Sequence, residues 1–174
     1  MPTLTRAAIE INTSNDALRD LIALGYLNGS RPGHAYDIPQ AEVDRLATIP
    51  YVTEPHSSAL VVSVEPARKE NDQSNGRAFV GWTPKKGAFS EVQVQGVTKW
   101  WQAQNPDTVE VVVVTRHGWI LHAYEVDGEP IHHESRAEWH FPVTLHDTDK
   151  TRPFLEHRLP PRPGPLAYTL PARP

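Results

Sequence analysis

The chain has no cysteine and a single methionine among its 174 residues. Without thiols there is no disulfide framework, no thiolate nucleophile and no cysteine-ligated zinc or iron–sulfur centre. Long apolar runs are missing as well. Nothing approaches the roughly 20 residues that a helix needs to cross a bilayer, and Met1-Pro2-Thr3-Leu4-Thr5 lacks the basic start and apolar core of a signal peptide. A cytoplasmic chain with no membrane partner is the expectation. Excess positive charge is also missing: a formal net charge of -4 and a pI near 6.1 give no global attraction to phosphate, so a nucleic-acid surface has to be a local patch. Phosphate loops, dinucleotide fingerprints and a Gly-x-Ser-x-Gly elbow are absent too, and we expect neither a cofactor nor a catalytic residue.

What is present describes a folding chain. Hydrophobic residues make up 39% and charged residues 22%, a globular balance, and the length suits one medium domain or two small ones. Proline is abundant, at 17 residues. Pro153, Pro160, Pro161, Pro163, Pro165, Pro171 and Pro174 crowd the C-terminal end, which should be extended rather than helical. Phe154, Leu155, Leu159, Leu166 and Tyr168 are placed to tie that tail, with its Arg152, Arg158 and Arg162, onto the rest by packing.

The first 50 residues read as three short helices. Thr5 is a candidate cap for a helix through Ile11, Asn12-Thr13 is a turn, and Ser14 caps a second helix from Asn15 to Leu24. In that second helix Ala17, Leu18, Leu21, Ile22 and Leu24 form one buried stripe, and Gly25 stops it. Tyr26 to Pro39 mixes turn residues with short extended pieces, as in a small hairpin, and a third helix runs from Gln40 to Ala47. This order resembles the winged helix-turn-helix of MerR-type regulators and phage excisionases. The resemblance implies a second helix that enters the major groove and a hairpin wing that touches backbone or minor groove. DNA is therefore the implied partner, with Ser14, Asn15 and Arg19 on the helix and Arg31 and His34 on the wing as contacts. Residues 1–51 hold four arginines, no lysine and six carboxylates. Dimerisation or a protein partner would have to supplement so acidic a surface.

A polar stretch, residues 52–58, reads as a linker, and residues 59–174 read as mostly β. Ala59 to Val64 is a buried strand, and Arg68 to Arg77 a polar loop. Thr108 to Thr115, with four consecutive valines, turns at Arg116-His117-Gly118 into a returning strand, Trp119 to Val126. Ala137 to Val143 is a further strand, and Gln93 to Gln104 fits helix or strand. Gly96-Val97-Thr98-Lys99-Trp100-Trp101, the valine strand, Gly118-Trp119-Ile120-Leu121-His122-Ala123-Tyr124-Glu125-Val126 and Trp139-His140-Phe141 together resemble PUA-like domains, the superfamily of EVE, YTH and ASCH modules. That resemblance implies a barrel that holds a nucleobase, modified or not, or a similar flat ligand in an aromatic pocket.

All five tryptophans lie between Trp82 and Trp139. Aromatic faces stack on bases at roughly 1–3 kcal/mol each, and adjacent Trp100 and Trp101 point to different faces, so one of them should reach a surface or pocket. Trp82, Trp100, Trp101 and Trp119 are the candidate pocket, with Lys85, Lys86 and Lys99 as candidate phosphate contacts. A metal-dependent nuclease is the competing class. His132-His133-Glu134, His140 and His146 invite a metal, but no helical His-x3-His spacing supports one, and we expect no metal site. Pro106-Asp107 with Glu110 resembles the start of a PD-(D/E)xK motif, yet Val112 stands where its lysine belongs. A protein-binding inhibitor or adaptor is the third class. The sequence thus leads to an α+β chain: a small winged helix-turn-helix at 1–51, then a mostly β, PUA-like barrel with a Pro-rich tail.

Overall fold

The computed structural model describes residues 2–31, 33–84, 90–162 and 165–173. It is an α+β chain of two compact units, Met1–Pro50 and Tyr51–Pro174. None of the helices among the described residues is long and apolar enough to cross a membrane.

In Met1–Pro50 each helix starts where local chemistry directs it. Helix α1, Leu4–Ile11, is capped by Thr3, whose hydroxyl accepts from the Arg6 N–H at 3.4 Å. The cap thus lies two residues before Thr5, because a start at Leu4 puts Leu4, Ala7, Ala8 and Ile11 on one buried stripe. Asn12 closes it in the left-handed region at φ 56°. Helix α2, Asn15–Ala23, is capped by Ser14 as expected, its Oγ accepting from Ala17 N at 3.0 Å. Ala17, Leu18, Leu21 and Leu24 are buried. Between α2 and the next helix Ser30 and Asp37 exchange two backbone hydrogen bonds, the one bridged pair of the expected hairpin, and Leu27 and Ile38 turn inward. Helix α3, Gln40–Thr48, follows Pro39 and buries Val43 and Leu46.

The second unit is built on a sheet. In chain order it contains β1 (Ala59–Ser63), β2 (Arg68–Lys69), β3 (Phe79–Val80), α4 (Glu91–Thr98), β4 (Val111–Arg116), β5 (Trp119–Glu125), β6 (Ile131–His132), β7 (Trp139–His140), α5 (Arg152–Leu155) and β8 (Ala167–Leu170). Four strands order as β5-β4-β1-β8. The β1–β4 pair is parallel and in register from Ala59↔Val111 to Ser63↔Thr115, while β5 and β8 run antiparallel on either side. Parallel pairing requires both faces to be covered, and the continuous apolar runs of β1 and β4 meet that need: Leu60, Val62, Val112 and Val114 are fully buried on one face. On the other, Ala59, Val61, Val111 and Val113 pack with Ile120, Ala123, Phe154 and Leu159. The β4–β5 hairpin turns at His117 and Gly118, both at positive φ, the backbone a two-residue turn demands.

Several expectations need correction here. The described strands form an open sheet with β5 and β8 at its edges, and two separate two-stranded ribbons, β2–β3 and β6–β7, so no barrel closes. The strand expected over 137–143 shrinks to Trp139–His140. The ambiguous 93–104 stretch is helical in its first part, because Ser90 and Gln93 form a capping box, and extended after Lys99. The segment read as a linker belongs to the second unit: the Val52 N–H donates to Arg158 at 2.8 Å and its side chain packs against the core. The tail is extended as expected, but part of it is a strand. Backbone pairing of β8 with β1 fixes it, along with the packing of Phe154, Leu155, Leu159 and Tyr168; Leu166 stays exposed.

Candidate functional site

Beyond the end of β1 the chain doubles back so closely that side chains must be absent at one point. Trp82 N donates to Glu65 O and Ala67 N to Trp82 O, both at 2.8 Å, and the Gly81 N–H reaches Gly96 O of α4 at 3.0 Å. A Cβ on Gly81, at φ +103°, would lie 2.6 Å from Glu65 O. Only glycine permits this approach. The result is a cavity of about 220 Å³ lined by Val64, Pro66, Arg68, Val80 and Gly81, with Trp101 and Leu166 contributed from far along the chain. Trp101 is held firmly there. Its indole N–H donates to Val97 O of α4 at 2.7 Å, and its backbone exchanges hydrogen bonds with Trp139 at 3.0 and 2.9 Å. The volume is below the roughly 300–1,000 Å³ of drug-sized ligand sites and suits a flat group the size of a base.

Trp100 takes a different role. Its indole N–H donates to Asn75 O at 2.9 Å, and its ring meets His133 edge-on at 4.6 Å and His140 at 6.0 Å. It braces the 70–77 loop, whose centre is Glu70. That carboxylate accepts from the N–H groups of Asn71 and Asp72, from Asn75 at 2.9 Å and from Arg77 at 2.9 Å. The Asp72 N–H is the largest influence on its pKa; burial opposes it, and Asn75 and Arg77 lower it further, to about 2. Arg77 also donates to the Lys99 carbonyl. Burial, together with the charge on Arg77 and against that of Glu91, keeps the Lys99 ammonium below its ordinary pKa. Burial likewise, with the Lys99 charge adding to it, pushes His140 down to about 4.

The expected four-tryptophan pocket is therefore not assembled. Trp101 lines the cavity, but Trp82 and Trp119 are only 6% and 2% exposed. Trp119 is a core residue because β5 is buried on both faces, and the Arg158 guanidinium lies 4.9 Å from its ring and 4.3 Å from that of Tyr51. Lys99 donates to Gly76 O at 3.0 Å and does not line the cavity. Lys85 and Lys86 lie outside the described residues. Sequence reasoning missed Arg68, Gly81, Val64 and Leu166. The one local signal was Gly81 between Val80 and Trp82; nothing in the sequence joins residues 64–68 to Trp101 and Leu166.

On Met1–Pro50 the expected DNA contacts have local partners. Ser14 is occupied as a cap, Asn15 donates to Thr5 Oγ1 at 3.3 Å, and Arg19 pairs with Asp16 at 2.6 Å. The Arg31 guanidinium lies 5.3 Å from the Tyr36 ring, and His34 is exposed. Among the described residues no three His, Asp or Glu side chains come together as metal ligands. Comparison with known proteins finds no matching family model, no matching curated protein and no matching solved structure.

Proposed function

We propose that this chain binds DNA, Met1–Pro50 docking on the duplex as a winged helix-turn-helix does and Tyr51–Pro174 holding a nucleobase or similar flat ligand beside Trp101. A phage or prokaryotic regulatory or defence role fits such a pairing of parts. The observation that carries the reading is the base-sized cavity with an indole held in its wall by Val97. For the first unit the support is the order of α1, a tight turn, a Ser14-capped α2 and a bridged hairpin, which is fold-level analogy.

The test uses tryptophan fluorescence of the full chain titrated with the four deoxynucleosides and their methylated forms. At least one should quench, and Trp101→Ala should weaken that binding about tenfold or more, given roughly 1–3 kcal/mol per stacked base. No response from any nucleoside, with the fold intact, removes the cavity from the reading. For the duplex, Arg31→Ala should lower affinity across all sequences and make its salt dependence shallower.

A second reading, that Met1–Pro50 is an adaptor for protein, is favoured by Ile9, which is 76% exposed on α1, and by the Arg19–Asp16 pair that neutralises the helix's own cation. Affinity that is indifferent to salt would select it. The nuclease alternative has no ligand set among the described residues.

A further inference from the structure

Charge along this chain is segregated. All 21 Asp and Glu residues lie before residue 157, and beyond it stand Arg158, Arg162 and Arg173. The fold lays this acid-free tail along the open edge of the sheet, as β8 and the segment leading into it. Three cavities open around that edge. One of about 620 Å³ lies between β8 and Gln102-Ala103-Gln104, one of about 350 Å³ is bounded by Arg116 and His117, and one of about 370 Å³ is bounded by Val52 and Arg173. Arg162 and Tyr168 line all three, and no carboxylate lines any of them. In a chain of net charge -4 such a face is anomalous.

The chemistry of the two shared residues is specific. The exposed Arg162 guanidinium lies 4.7 Å from the Tyr168 ring centroid, and stacking of this kind leaves the N–H edge of the fork free for an oxyanion. Gln102, Gln104 and Thr169 add neutral hydrogen-bonding groups along the largest of the cavities. That cavity adjoins the one walled by Trp101, since their linings are consecutive in the chain at Trp101-Gln102 and at Pro165-Leu166.

From this we infer that the β8 edge is a track for the phosphate backbone of a single-stranded nucleic acid, centred on Arg162 and Tyr168 and continuous with the Trp101 cavity. The class of ligand rests on the function proposed above. An acidic peptide would also answer the charge, but it would not explain why the track leads to an indole-walled cavity of base size; aromatic stacking beside a cationic groove is how single strands are held.

The test measures fluorescence anisotropy of the full chain with two labelled probes, a short oligothymidylate and an abasic deoxyribose-phosphate strand of equal length, from low to physiological salt. Arg162→Ala should weaken both by about tenfold and make the log–log salt slope shallower by about 0.7 for each phosphate the variant no longer neutralises. Arg162→Lys should restore the slope, and Tyr168→Leu should weaken the probes without changing it. Arg162 is exposed, so an unchanged melting temperature is expected of its variants. Affinity and slope unaltered in Arg162→Ala and Tyr168→Leu would overturn the track, as would displacement of the strand by polyglutamate at matched charge. The two readings fail separately. Nucleoside quenching with strands indifferent to Arg162 removes the track alone, whereas weaker abasic-strand binding by Arg162→Ala without any nucleoside quenching upholds the track and removes the cavity.

Discussion

Met1–Pro50 and Tyr51–Pro174 are built by different rules. In the first unit each helix is begun by a residue adjacent to it and buried along a stripe read within its own sequence, as Ser14 and the Ala17, Leu18 and Leu21 stripe of α2 show. In the second, the central pairings join distant segments: β1 lies between β4, some fifty residues on, and β8, more than a hundred residues on. Short-range structure follows from local preference and amphipathic period, whereas a parallel pair and a C-terminal edge strand depend on which apolar runs find one another. The cavity follows the same division, being closed by residues from three separate stretches of the second unit.

The strongest way to break this contrast is to disturb a long-range contact of the second unit at one atom. Gly118 sits at φ +84°, its carbonyl accepts from the Leu159 N–H at 2.7 Å, and a Cβ there would lie 2.3 Å from Leu159 O. Gly118→Ala should cost about 3 kcal/mol or more, through strain at a positive φ and a backbone clash. Hydrogen exchange should show protection falling in β1, β4, β5 and β8, with amides of α1 to α3 as the internal control. Unchanged protection in β8 would mean that the tail is held without the Gly118–Leu159 contact.

Acid should sharpen the contrast to a smaller degree. In the first unit Glu10 and Glu42 are lowered: Gln40 and then Arg6 lower Glu10, and Arg45 with Asn28 outweigh the burial that raises Glu42. Their stabilisation is present above the ordinary carboxylate pKa and is lost as pH falls below it. The second unit has a corresponding window through Glu70, from about 4.5 down to about 2. It also has one at higher pH. Because the folded His140 resists protonation down to about 4, the unfolded chain binds the extra proton first, and stability falls between about pH 6.5 and 4. The drop should be about 1–2 kcal/mol once screening of a partly exposed ring is allowed for. His140→Gln should flatten denaturant midpoints of the second unit in that window alone; equal pH dependence in both proteins would refute the assignment.

The smallest effect belongs to the unit whose structure is local. Ser14→Ala removes the side-chain acceptor for Ala17 N and should cost about 1 kcal/mol, with Ser14→Asp recovering most of it. Exchange of the α2 amides should report the change directly. Faster exchange extending equally through β1 to β8 would show that the first unit is less self-contained than its local construction implies.

Four features are legible in the residues alone: the α+β class, the second and third helices nearly to the residue, the β4–β5 hairpin with its His117-Gly118 turn, and the apolar side chains that tie down the tail. Each is written in neighbouring residues, as a cap, an amphipathic period or an alternation broken by a turn. Folding in three dimensions set the rest: β1 and β4 run parallel, β8 forms the opposite edge and leaves the sheet open, and Trp119 is core while Trp101 walls a cavity. It also set Lys99 against the 70–77 loop and laid an acid-free tail along β8. Whether an indole packs inward or lines a pocket depends on what the rest of the chain places against it. Hydrophobic burial is non-directional, so a tryptophan meets either role with the same local sequence.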